Sequence, residues 1–209
     1  PYLSCKGEQW TPRMVWGVED IVMCPGKEDM FNFLEDIIRE VVPLFPGKYF
    51  HIGGDECPKT SWKHCPTCQK RIQNEGLQAD GKHSAEERLQ SYVIKRMEKM
   101  LAKYDRKIIG WDEILEGGLS PDATVMSWRG TSGGISAALQ KHDVIMTPGS
   151  GGLYLDHYQG DYKIEPVTIP SAPAYLSRTY NYEPVPDTIK SLGLEKHILG
   201  VQCNNWSEY

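Results

Sequence analysis

The sequence predicts an α/β protein built on a parallel sheet, and three observations carry that prediction. Short apolar runs rich in β-branched and aromatic residues alternate with stretches of helical periodicity. The runs are apolar at consecutive rather than alternate positions, as in strands buried on both faces of a parallel sheet. Polar and aromatic residues gather where each run ends, the place where α/β barrels and open doubly wound sheets carry their chemistry.

Taken in order, residues 1–27 read as loop, punctuated by Gly7, Pro12, Gly17, Pro25 and Gly26. From about Lys27 to Val42, Met30/Phe31, Leu34, Ile37/Ile38 and Val41 recur at helical spacing, and Pro43 and Pro46 stop that helix. A first strand runs from Tyr49 to Glu56 behind a turn at Gly47-Lys48. Residues 57–83 are polar and rich in Cys, Pro, Gly and Lys; they read as a long loop with a short helix near Cys68–Glu75. Ser84-Ala85-Glu86-Glu87 has capping-box spacing, and the helix after it carries Leu89, Tyr92/Val93, Met97, Met100/Leu101 and Tyr104. Further strands are expected at Lys107–Glu113, Ala123–Gly130, Asp143–Thr147 and Ile198–Cys203. Short helices are expected around Ser132–Lys141 and near Pro186–Leu192, and 159–186, with its many Pro and Tyr, reads as irregular.

Net charge is −5 over 209 residues, with acids and bases well mixed, which points away from nucleic acid and anionic membranes as partners. No apolar run approaches the roughly 18 residues of a membrane span. The chain opens on Pro1 rather than Met, so the lack of a signal peptide is uninformative. Nucleotide-binding glycine motifs and the GxSxG elbow of serine hydrolases are absent.

The chain is organised around Tyr49-Phe50-His51-Ile52-Gly53-Gly54-Asp55-Glu56. Neighbouring side chains of a regular strand point to opposite faces, so Asp55 and Glu56 can share a site only if the strand stops alternating there. Gly53 and Gly54 permit that. Carboxylates held side by side repel and titrate apart, the division of labour that acid–base chemistry near neutral pH uses. The bland alternative is a charged strand-to-loop junction. Eleven Tyr and six Trp are many for this length; tryptophans usually pack in cores, and beside exposed carboxylates they also serve as platforms for sugar rings.

Six cysteines allow fifteen pairings if all are bridged. Cys65-Pro66-Thr67-Cys68 is a lone CxxC, and Cys57 and His64 could complete a four-ligand zinc set. The second half of a zinc ribbon or finger is absent, so a disulfide of an exported protein, or unpaired thiols, is preferred. No metal and no cofactor are assigned. Cys203 is expected as a packed core thiol in the last strand.

His51-Ile52-Gly53-Gly54-Asp55-Glu56 resembles the signature of glycoside hydrolase family 20, the β-N-acetylhexosaminidases. The resemblance extends in the family's order through Gly110-Trp111-Asp112-Glu113, Ser127-Trp128-Arg129-Gly130, Tyr154-Leu155-Asp156 and Trp206-Ser207-Glu208, and so covers nearly the whole chain. The loop with Cys65 and Cys68 looks like that of bacterial, Bacteroides-type members. The resemblance implies a TIM (β/α)8 barrel of which residues 1–209 form a single domain, the C-terminal part, with five strands corresponding to the fourth to eighth. The remainder of the barrel is expected from N-terminal sequence not present here. It implies exo-hydrolysis of terminal β-linked N-acetylglucosamine or N-acetylgalactosamine with retention through substrate assistance, an exception to the two-carboxylate rule. It also implies a periplasmic or extracellular location and a glycan substrate.

Residue by residue, the resemblance makes Glu56 the general acid and then base, Asp55 the partner of the acetamido N–H, and Tyr154 a donor to the acetamido oxygen. Trp111 and Trp128 would wall the acetamido pocket, and Trp206 would lie beneath the sugar ring. Asp156 and Glu208 would accept from ring hydroxyls. Asp112 and Glu113 are expected as structural or supporting groups, and His51 as a hydrogen-bonded support. Two alternatives stand beside this reading: a retaining glycosidase whose nucleophile is Glu113 or Glu208, and a sugar-binding module without turnover.

Overall fold

The apolar runs and amphipathic stretches become five strands and seven helices in a computed structural model, which describes residues 2–15, 17–168 and 173–206. In chain order they are α1 (Glu28–Val41), β1 (Tyr49–His51), α2 (Thr60–His64), α3 (Pro66–Asn74), α4 (Ala85–Ala102), β2 (Lys107–Trp111), β3 (Thr124–Ser127), α5 (Ser132–Leu139), β4 (Val144–Met146), α6 (Leu176–Tyr180), α7 (Asp187–Ser191) and β5 (Ile198–Val201). The strands lie in the order β1-β2-β3-β4-β5, so chain order and spatial order coincide. The pairs β2–β3, β3–β4 and β4–β5 are parallel, in registers that set Gly110 against Val125, Met126 against Ile145 and Met146 against Val201. Successive neighbouring parallel strands with helices between them are the winding of an α/β barrel.

The chain divides into two compact units. The first comprises Pro1–Ile108 and Glu113–Asp122, the second Ile109–Asp112 and Ala123–Tyr209. In the first, α1 buries Met30, Phe31 and Ile38, and α4 buries Leu89, Ile94, Met97, Met100 and Leu101. The Phe31 and Tyr92 rings meet edge to face at 5.9 Å, and Arg96 lies 4.0 Å over Phe31 while also pairing with Glu28. The α4 capping box forms as its sequence predicts: Ser84 Oγ accepts from Glu87 N–H at 3.1 Å, and Ser84 N–H donates to the Glu87 carboxylate at 2.6 Å. In the second unit Ile109, Trp111 and Met126 form a buried cluster, with Trp128 and Ile145 packed against it.

Several expectations are corrected. The first strand ends at His51 instead of Glu56, because the backbone turns to positive φ at Gly53, Gly54 and Glu56. The stretch 57–83 carries two helices instead of one short helix in a long loop; the five-residue α2 has no periodicity to display, and Trp62 anchors it by burial. The irregular stretch likewise contains α6. Burial on both faces holds for β2 and β3, whereas β1 and β5, at the ends of the strand order, are partly exposed. Cys203 lies past the end of β5 and is exposed, not a core thiol. No disulfide joins any of the six cysteines, and Cys65 and Cys68 gather with Cys5 and Cys24 rather than with Cys57 and His64. Among the described residues no helix is long and apolar enough to cross a membrane.

Candidate active site

Asp55 and Glu56 leave the C-terminal end of β1 on a backbone that no regular strand could supply. Gly53 has φ 71°, Gly54 φ 97° and Glu56 φ 45°. The left-handed conformation costs a non-glycine residue roughly 1–3 kcal/mol and persists only where surrounding structure imposes it. At Gly54 a Cβ would stand 2.6 Å from Cγ2 of the fully buried Ile114. Gln90, buried on α4, donates from Nε2 to the Glu113 carbonyl at 2.9 Å and more weakly to the Gly54 carbonyl at 3.4 Å. His51 Nδ1 accepts the Gly53 N–H at 3.0 Å, which holds the first turn after the strand. Although His51 as a whole is exposed, partial desolvation of its imidazole keeps its pKa below the ordinary value, opposed by the Asp55 charge. The support role expected of His51 is therefore met.

Asp55 is half-buried and Glu56 exposed. Both line a cleft of about 480 Å³ together with Val22, Met23, Met30, Gly54, Cys57 and Met97 among others. Burial pushes the Cys57 thiol pKa up. The carboxylates thus sit on a concave, largely apolar surface rather than on a flat aromatic strip. Glu113, 6 % exposed, is not among the residues lining the cleft.

In the second unit the structure brings together three of the tryptophans picked out by sequence. Trp111 ends β2 and is 8 % exposed; its ring centroid is 6.5 Å from that of Trp128, which follows β3, and 5.8 Å from that of Trp206, which follows β5. Trp206 is 46 % exposed, so the cluster grades from core to surface. Tyr154, in the loop after β4, forms an isolated parallel bridge with Asn204, and its ring meets that of the buried His157 at 5.1 Å. Asp156 has one carboxylate oxygen, Oδ1, that is buried with no hydrogen-bond partner among the described residues. A buried acceptor without a donor calls for an explanation, and a ligand hydroxyl is one. Glu208 lies outside the described residues.

Asp112 proves structural, as expected. It is 2 % exposed, and its Oδ1 accepts from Arg129 Nε at 2.6 Å while Oδ2 accepts from the Arg129 N–H at 3.3 Å. That pair fixes the backbone immediately after Trp128. Two positioning residues were missed by sequence reading. Asn204 ties the loop carrying Tyr154 to the segment preceding Trp206: its N–H donates to the Leu153 carbonyl at 2.8 Å, its carbonyl accepts from Leu155 N–H at 2.7 Å, and its Nδ2 donates to Thr147 Oγ1 at 2.9 Å. Gln90 is the other, and a signal existed: it is a polar residue at the helical spacing of Ile94 and Met97.

The profile of glycosyl hydrolase family 20, catalytic domain, matches residues 1–209. The chain is 57 % identical over 211 aligned residues to a β-hexosaminidase of Porphyromonas gingivalis, covering 100 % of this chain and 26 % of that protein. It is 33 % identical to a β-hexosaminidase of Vibrio furnissii, covering 99 % of this chain and 33 % of that one. Among solved structures, the family 20 exo-β-N-acetylglucosaminidase of Vibrio harveyi in complex with N-acetylglucosamine superposes with a TM-score of 0.78 at 29 % identity, over 90 % of this chain and 29 % of that one. The Flavobacterium johnsoniae chitobiase gives the same TM-score at 27 % identity over 100 % of this chain and 29 % of that one. The chain spans between about a quarter and a third of the length of these relatives. With residues 1–209 matched throughout and five strands in sequential order in one sheet, the chain belongs to glycosyl hydrolase family 20 and represents part of that family's catalytic TIM barrel.

Proposed function

We propose that this chain carries acid–base and sugar-binding residues of an exo-acting β-N-acetylhexosaminidase that cleaves terminal β-linked N-acetylglucosamine or N-acetylgalactosamine from glycans with retention. The observation that carries the reading is the backbone at Gly53, Gly54 and Glu56, which frees two adjacent carboxylates from strand alternation beside a concave surface. The names of the relatives and the sugar in the Vibrio harveyi complex support the substrate class.

In the proposed reaction the carboxylic acid of Glu56 gives its proton to the glycosidic oxygen as that bond to the anomeric carbon breaks. The substrate's own acetamido oxygen forms the new bond to that carbon, giving an oxazolinium ion. Asp55 accepts a hydrogen bond from the acetamido N–H, whose positive character grows as the ring closes, and Tyr154 donates to the acetamido oxygen and aims it. The Glu56 carboxylate then takes a proton from water, whose oxygen bonds to the anomeric carbon as the oxazolinium ring opens. Two inversions leave the configuration unchanged. Trp111 and Trp128 keep water from the acetamido group, which strengthens the electrostatic interactions with Asp55. Trp206 offers an apolar face to the sugar ring, and Asp156 Oδ1 accepts from a ring hydroxyl; Glu208 is proposed for a second hydroxyl. The partly exposed edges of β1 and β5 support a further proposal, that additional strands close the barrel in the working enzyme.

Glu56→Gln tests the acid role. The amide keeps the shape and loses the transferable proton, so kcat/KM on aryl N-acetylglucosaminides with poor leaving groups falls by about 10²–10⁴-fold. Good leaving groups need less protonation and suffer less at the first step. Equal loss across the leaving-group series would remove Glu56 from the acid role.

A further inference from the structure

Four cysteines from three separate segments meet at one point. Cys5 comes from the N-terminal segment, Cys24 from the loop before α1, and Cys65 and Cys68 from the start of α3. All four sulfurs lie within 4.8 Å of one another. The distances are 3.5 Å for Cys24–Cys68, 3.7 Å for Cys24–Cys65 and 3.7 Å for Cys5–Cys68. Four sulfurs at tetrahedral corners, each about 2.3 Å from a central zinc, stand about 3.8 Å apart. A disulfide would need about 2.05 Å, well below any of these separations. We propose that Cys5, Cys24, Cys65 and Cys68 bind one structural Zn²⁺ ion as a closed tetrathiolate site.

The surroundings are built as a metal site requires. Cys24 and Cys68 are fully buried, Cys65 nearly so and Cys5 in part, so the point where the sulfurs meet is largely shielded from water. Thr67 Oγ1 lies 3.0 Å from Cys65 Sγ and 3.3 Å from Cys24 Sγ, placed to donate its hydroxyl hydrogen to a thiolate. Gly26 packs against the CxxC backbone so closely that a Cβ would stand 2.3 Å from the Thr67 carbonyl carbon and 2.6 Å from Cys68 N. No other residue would let the Cys24 loop approach the CxxC turn. The segments carrying Cys5 and Cys24 are paired by the Ser4–Met23 antiparallel bridge and by Cys24 N–H donating to the Leu3 carbonyl at 2.8 Å. Lys27 Nζ donates to the Tyr2 and Ser4 carbonyls, so a cation stands near a site whose four thiolates exceed the charge of the metal. Cys68 also lies in the first turn of α3, where the helix dipole favours a thiolate.

Zinc explains the local fold as well. The helices α2 and α3 have five and nine residues, too short to hold themselves together in water. The buried cluster they join, with Trp62, Ile72 and Leu89, is small and consists in part of the cysteines themselves. Soft thiolates select zinc over hard cations, and such sites contribute directly to folding. Ile21, Val22 and Met23, which line the cleft beside Asp55 and Glu56, lead directly into Cys24. The ion would therefore fix one wall of that cleft without touching substrate.

The experiment is metal analysis of the protein purified without chelator or reductant. One zinc per chain is expected by plasma mass spectrometry and by native mass spectrometry, together with protection of four thiols from alkylation until a mercurial releases the metal. Replacement by Co²⁺ is expected to produce the intense charge-transfer and d–d bands of a tetrahedral tetrathiolate. Cys57→Ser, outside the cluster, retains a full equivalent of zinc, whereas Cys24→Ser and Cys68→Ser lose it; should those two variants fail to fold, the wild-type metal content and cobalt spectrum decide. An intact mass four hydrogens below that of the reduced chain, meaning two disulfides, overturns the proposal. So do four readily alkylated thiols without metal, and so does iron in place of zinc.

Discussion

Gly54→Ala tests whether the turn that frees Asp55 and Glu56 from strand alternation is imposed by packing. Two penalties add. An alanine at φ 97° leaves the regions open to L-residues, costing about 1–3 kcal/mol. Its Cβ also meets Cγ2 of Ile114 at 2.6 Å. Ile114 is fully buried and cannot swing aside, so the overlap resembles an overpacked core, at about 1–3 kcal/mol. Together they predict a loss of about 2–6 kcal/mol, which in a chain near 200 residues lowers Tm by roughly 5–20 °C. The assay is chemical and thermal unfolding of four proteins: wild type, Gly54→Ala, Ile114→Ala and the double variant. Ile114→Ala removes Cγ2 and costs about 2–5 kcal/mol by itself. In the double variant the overlap is gone and only the backbone penalty remains, so the two changes couple favourably by about the overlap energy, 1–3 kcal/mol. A Gly54→Ala variant within about 0.5 kcal/mol of wild type, the range of changes that touch nothing important, would refute the reasoning. Full destabilisation with no coupling to Ile114 would refute the contact and leave only the backbone term.

Two further outcomes follow from the same structure. Asp112→Ala removes the charged partner of Arg129 and the acceptor of its N–H; because Arg129 is 45 % exposed and can resolvate, the loss is about 1.5–3 kcal/mol rather than that of a wholly buried pair, and an unfolding curve superimposable on wild type contradicts the structural role. His51 has a folded-state pKa below its ordinary 6.5, so the fold prefers the neutral ring: its contribution is fully present above about pH 6.5 and is lost as pH falls toward the lowered folded-state value. His51→Asn places an amide oxygen to accept the Gly53 N–H without titrating, so the slope of stability against pH in that interval flattens, and an unchanged slope assigns it elsewhere.

Much of the fold was legible because its elements are local. The spacing of Met30, Phe31 and Ile38 and of Leu89, Met97 and Leu101 wrote α1 and α4, and Ser84 with Glu87 wrote the start of α4, each within the span of one helix. The apolar runs at 107–111 and 124–127 wrote β2 and β3, whose residues are buried on both faces. The order of the motifs at 51–56, 110–113, 127–130, 154–156 and 206–208 points to family 20 by itself, since each motif is contiguous in the chain. Tertiary structure decided what depends on distant residues meeting. Where β1 ends is settled by Ile114 and Gln90, sixty and thirty-six residues beyond Gly54 in the chain. The short helices α2 and α3 exist because Trp62 and Ile72 find a buried cluster to join, and five or nine residues carry too little periodicity to announce it. Trp111, Trp128 and Trp206 look alike in sequence, yet burial grades them from core to surface. The cysteines show the limit most plainly: Cys65 and Cys68 advertise themselves by spacing, whereas Cys5 and Cys24 stand 63 and 44 residues from Cys68 and are isolated in the sequence. Their partnership is a property of the folded chain, since spacing encodes only the contacts a short segment makes with itself.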